Sequence, residues 1–207
     1  MPLDLWLAFV AASFVLLIIP GPTILLVMSY ALTQGRRVAV AMALGVALGD
    51  FIAMTASLLG LGALVLASAT LFTVLKWAGA VYLVYLGIKL LRSRPAVSFG
   101  DLEPAPKPAA AIFGHAAAVT ALNPKSIAFF IAFVPQFIRP EAELMPQFAI
   151  LIATFVTLAC FNALAYALLA DRLRARIRRP GVLRWMGRTG GGALVGMGAL
   201  TAAMQRA

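Results

Sequence analysis

Apolar positions in this chain run on instead of alternating. Nearly unbroken hydrophobic stretches cover about Leu5–Ser29, Val38–Leu66, Leu71–Leu91, Ala111–Val134 and Gln147–Ala170. A sixth, Thr189–Met204, is shorter and Gly-rich. Continuous runs of this length predict helices and not the alternating strands of a barrel. About 20 apolar residues coiled as a helix cross the ~30 Å hydrocarbon layer of a bilayer. The pattern therefore predicts an all-α polytopic membrane protein with six transmembrane helices. If the sixth helix starts near Leu183 it gains length, but it then carries Arg184 and Arg188.

Polar punctuation separates the runs. Gly35-Arg36-Arg37 closes a short turn, Tyr30–Arg37, after the first. A Pro-rich connector, Arg92–Lys107, follows the third and divides the chain near its middle. Pro135, Pro140 and Pro146 break the segment after the fourth, and an Arg-rich loop from Arg172 onward follows the fifth. The expected organisation is a first three-span unit over residues 1–94, a linker over 95–110 and a second three-span unit over 111–207.

Two runs are interrupted from within. Pro20-Gly21-Pro22 breaks the first, and Asn123-Pro124-Lys125 breaks the fourth. Proline removes a backbone donor, and lysine carries a full charge; both are costly inside a bilayer, so a span that keeps them is expected to use them. A helix broken at mid-membrane exposes N–H groups at the start of its second half and C=O groups at the end of its first. The former attract a carboxylate, the latter an ammonium. Lys125 adds a positive charge, and Asp50 in the second run adds a negative one. The substrate-binding candidates are thus Pro20, Gly21, Pro22, Asp50, Asn123, Pro124 and Lys125, a set suited to a zwitterion such as an amino acid. Lys125 and the adjacent break would hold the carboxylate. Asp50 would hold the ammonium or carry a coupling proton. The competing reading of Asp50 and Lys125 is a structural ion pair.

The two halves look like copies. Pro22 matches Pro124, while Gly79 and Gly87 match Gly190 and Gly198, and Asp50 falls within one position of Asn162. Three spans per copy would make the second enter the membrane upside down, an inverted 3+3 repeat with broken helices 1 and 4. Gly45 and Gly49 lie four apart on one face, which permits close helix packing within the chain or in a homodimer. Gly45, Gly49, Gly79, Gly87 and Asn162 are assigned to packing and rocking. His115 reads as an interfacial residue, and Tyr82 and Tyr85 as packing or anchoring groups.

Composition agrees with this picture. The 207 residues are 63% hydrophobic and 12% charged, with a mean hydropathy of +0.98; soluble domains carry about twice that charged share. The formal charge of +10 comes from residues between the runs, where they meet anionic lipid headgroups and not nucleic acid. Thirteen Lys and Arg residues lie in or beside the loops after runs 1, 3 and 5, and three on the other side. Basic loops stay cytoplasmic, which puts both termini on the non-cytoplasmic side. The single cysteine, Cys160, excludes an intramolecular disulfide. No metal-ligand spacing, phosphate loop or catalytic triad is visible, so neither an enzyme nor a cofactor is expected. The N-terminus lacks the basic start of a cleaved signal, and the first run is expected to be retained.

Pro20-Gly21-Pro22, the segment Gly45–Asp50, the segment Gly79–Gly87 and Asn123-Pro124-Lys125, in this order, resemble the LysE/RhtB amino-acid exporter family. The resemblance covers nearly the whole chain, with the last run departing most. It implies efflux of amino acids or close derivatives across the bacterial inner membrane, driven by an ion gradient through proton antiport. Two other classes remain open on the residues: a small channel, and a non-transporting membrane subunit.

Overall fold

The computed structural model describes residues 1–19, 21–92, 107–139, 142–170 and 180–203. Pro20, Pro140, most of the 95–110 linker and Arg172–Arg179 lie outside the described residues. The described chain is helical, with no strand among these residues.

Helix α1, Leu3–Ile18, follows an extended Pro2 and carries Asp4 in its first turn, a negative charge at the positive end of the helix dipole. Ile19 is extended and ends it. Helix α2, Pro22–Gln34, has Pro22 at its first position, where the missing N–H costs nothing. The two halves of the first run meet at 55°. The expected turn from Tyr30 is mostly helix: Tyr30 and Ala31 are buried, and burial carries α2 on to Gln34. The reversal falls to Gly35, whose φ of 73° is open mainly to glycine. A 3-10 turn, Arg36–Val38, leads into α3, Ala39–Ala67. Helix α4 is Ala69–Arg92.

The fourth run is likewise two helices, α5 Ala109–Ala121 and α6 Pro124–Ala132, followed by a 3-10 turn over Val134–Phe137. Helix α7 is Leu144–Leu168. Helix α8, Pro180–Ala203, begins earlier than Thr189 and includes Arg184 and Arg188. Helices α3, α4 and α7 are each long and apolar enough to cross a bilayer, and α1 with α2 qualifies as one bent crossing. Helix α5 has only 13 residues, and α8 has the length but is diluted by glycine and arginine.

Helix α3 is the hub, packed on α5 and α7; α4 packs on α8 and α6. Glycines set these seams. A methyl group at Gly45 would stand 2.5 Å from the Phe113 carbonyl oxygen, and one at Gly49 2.5 Å from that of Ala117. The α3 pair is therefore used inside the chain, against α5. Gly79 meets Ala132 of α6, and Gly87 meets the Gly191 backbone of α8, at 2.7 Å by the same measure. Between the seams lies an aromatic core: Phe130 meets Phe155 edge-on at 4.9 Å between ring centres, and Phe9 meets Phe137 at 5.4 Å. The Trp6 indole donates to Thr154 Oγ1 at 3.0 Å and ties α1 to α7. Outward lie large apolar side chains such as Phe14, Phe51, Val81 and Phe161, a surface suited to lipid tails.

Candidate functional site

The first break leaves carbonyls without helical partners. In a continuous helix the Leu16 and Ile18 carbonyls would accept from residues 20 and 22, both prolines with no N–H. Side chains from elsewhere supply the donors. Lys125 Nζ donates to the carbonyls of Leu16 at 3.0 Å and Ile19 at 2.9 Å. Asn162 Nδ2 donates to Leu17 at 3.1 Å, and the Tyr166 hydroxyl to Ile18 at 3.0 Å. Four successive carbonyls at the negative end of α1 are thus closed by α6 and α7.

The second break is stitched to the first. Asn123 caps α6, its Oδ1 accepting from the Lys125 backbone N–H at 3.1 Å. Its Nδ2 donates to Thr23 Oγ1 at 3.0 Å, and the Thr120 hydroxyl reaches the same oxygen at 3.4 Å. All three side chains are buried. One polar knot therefore joins α2, α5 and α6 at the two breaks.

Asp50 enters from α3. It is 2% exposed, and its Oδ1 has no hydrogen-bond partner among the described residues. No ion pair within 4.0 Å joins it to Lys125. Asp50 and Lys125 instead line one cavity of about 20 Å³, together with Gly21, Thr23, Asn123 and Asn162. That is room for about one water. The first turns of α2 and α6 both border this cavity, which brings the positive ends of two helix dipoles to it. On the other side of Lys125 lies a cleft of about 590 Å³ between α2, α4, α6 and α8, walled by Tyr82, Tyr85 and Lys89. Gly21, Asn123 and Lys125 line both spaces.

The structure brings Gly21, Pro22, Asp50, Asn123, Pro124 and Lys125 together around these spaces; Pro20 lies outside the described residues. Gly45, Gly49, Gly79 and Gly87 lie in the helix seams. Asn162, assigned to packing, is a cap on α1. Sequence reasoning missed Tyr166, Thr23 and Thr120. Tyr166 had a signal: it stands one helical turn after Asn162, on the same face. Tyr82 and Tyr85, read as packing groups, stand on the cleft wall because α4 turns that face toward α2. His115 bonds the Tyr30 hydroxyl through Nδ1 at 2.9 Å, beside a separate cleft of about 400 Å³.

Comparison with known proteins bears on this arrangement. An uncharacterized membrane protein of Vibrio cholerae is 34% identical over 202 residues, covering 98% of each chain. A homoserine/homoserine lactone efflux protein of Salmonella typhimurium is 33% identical over 207 residues, the whole of both chains. A leucine efflux protein of Salmonella choleraesuis is 31% identical over 168 residues, 81% of this chain and 79% of that protein. No solved structure matches. The LysE type translocator family matches residues 14–205, a range that includes both breaks and Asp50. The chain therefore belongs to the LysE family, and it is a multi-pass membrane transporter and not an enzyme.

Proposed function

We propose that the protein exports amino acids or close derivatives by a secondary, proton-antiport mechanism. The observation that carries this reading is the meeting of two interrupted helices at a buried knot holding one ammonium and one carboxylate. Such paired breaks are a transporter plan. The homoserine, homoserine lactone and leucine efflux relatives supply the solute class. The cleft of about 590 Å³ is of the size that small-molecule sites occupy, whereas the inner cavity of about 20 Å³ holds no amino acid. A substrate reaching Asp50 needs the wall between them to move, which favours a carrier over a standing pore. In this reading the protein crosses the inner membrane six times as an inverted repeat of residues 1–94 and 111–207, with both termini non-cytoplasmic. Lys125 and the N-termini of α2 and α6 take the carboxylate, and Asp50 carries the coupling proton.

The test is export from dipeptide-fed bacterial cells, screened over the twenty amino acids and homoserine, with and without the protein. Export of at least one, with saturation and trans-stimulation, is the expected result. Loss of that export in Lys125→Ala, inserted at the wild-type level, is expected as well. Flux at the parental rate in that variant would remove Lys125 from the site.

A further inference from the structure

The end of α1 is closed by groups that a substrate can imitate. Two of its four open carbonyls are held by a primary ammonium, Lys125 Nζ, at 3.0 and 2.9 Å. The other two accept from a neutral amide and a phenol. The Lys125 stem passes over Gly21, close enough that an added methyl group there would touch its Cε and Nζ at 3.4 Å. Among the described residues, only Gly21, Asn123 and Lys125 border both the outer cleft and the inner cavity, and Lys125 is the one with a long, movable side chain.

We infer that the last turn of α1 is a primary-ammonium site, which Lys125 fills in the empty carrier and which the substrate's own α-ammonium takes over. The ligand is named on the strength of the exporter reading; the geometry is independent of it. The exchange keeps the carbonyls covered throughout, since one ammonium replaces another. Lys125, once released, faces the cleft beside the bound substrate and pairs with its carboxylate. The wall in front of Asp50 opens at the same moment. An amine without a carboxylate leaves the freed lysine with no anion, and an acid without an ammonium leaves the carbonyls bare. A zwitterion completes the exchange with both charges met, whereas a lactone offers the freed lysine only a carbonyl oxygen.

The test needs no flux. The purified full chain in detergent or nanodiscs is melted with methylammonium chloride, tetramethylammonium chloride or sodium chloride at equal concentration. In Lys125→Ala the vacated carbonyls take methylammonium, and the melting temperature rises by about 5 °C or more with its concentration. Sodium and tetramethylammonium, which has no N–H, leave it unmoved. Wild-type protein, its site filled, gains nothing from methylammonium. Equal melting of Lys125→Ala with and without methylammonium overturns the inference, and so does an equal gain in the wild type. If Lys125→Ala does not survive extraction, Lys125→Met, which keeps the apolar stem and has no N–H at its end, goes through the same comparison: a rise with methylammonium alone supports the site, and no rise overturns it. Rescue by methylammonium alongside a blank export screen would sink the exporter reading and leave the ammonium site standing. An active exporter without rescue would sink only the site.

Discussion

At Asp50 a carboxylate sits in the bundle with one oxygen lacking any partner among the described residues. A buried carboxyl group with an unpartnered oxygen lowers stability whether or not it holds a proton, so a protein that keeps one gains something else from it. Asp50→Asn is expected to insert normally and to melt at or above the wild-type temperature. Its gradient-driven export is expected to fall to the level of cells lacking the protein. Both readouts are needed: an export loss that tracked a stability loss would make Asp50 a packing residue. Tyr166 gives the opposite case. Tyr166→Phe removes the donor to the Ile18 carbonyl and nothing else, costing about 1 kcal/mol. In a chain of this length that is about 2–4 °C in melting temperature, readable by thermal denaturation in detergent.

Among the helices, the glycine seams make the sharpest expectations. Gly49→Ala sets a methyl group 2.5 Å from a backbone oxygen and 2.6 Å from Thr120 Cβ. Backbone cannot yield as a side-chain tip does, so α3 and α5 must separate, at about 1–3 kcal/mol. Gly60 lies on the same helix with nothing within 4 Å. Gly60→Ala should gain about 0.5–1 kcal/mol from helix propensity alone. Melting both variants side by side isolates the seam. The two breaks are legible in the sequence because proline and lysine are expensive inside an apolar run, and the cost is visible without a structure. The caps are not. A tyrosine or threonine in a helix is chemically quiet until its partner is known, and the carbonyls of residues 16–19 have no letter in the sequence. Asn162 stands out among apolar neighbours, yet its amide serves packing or capping equally well, and only Leu17 decides. Tyr82 and Tyr85 depend on which face α4 turns inward, which hydropathy cannot say when both faces are apolar. Helix α8 reads too short in the sequence because glycine and arginine mask a helix in any apolar count.

Across the whole molecule, the proposed six-span topology takes its orientation from charge, since packing alone has no up or down. In that topology thirteen basic residues fall on one side and three on the other, so a C-terminal alkaline phosphatase fusion should be active and a C-terminal green fluorescent protein fusion dark; the reverse pair would invert the topology. The all-helical, multi-pass architecture follows from the length and continuity of the apolar runs. The partition into a roomy outer cleft and a water-sized inner cavity does not, because it depends on where one lysine lies. That lysine also sets an order of events during biosynthesis. The donors that close α1 come 109, 145 and 148 residues downstream of their acceptors. At ribosomal speeds α1 therefore waits about 5–20 s, its tail of peptide oxygens unclothed, before Lys125 is even made. The nascent amino-terminal half is a dependent until its sibling arrives. Residues 1–94 expressed alone should be degraded by membrane proteases, and co-expression with 111–207 should spare them.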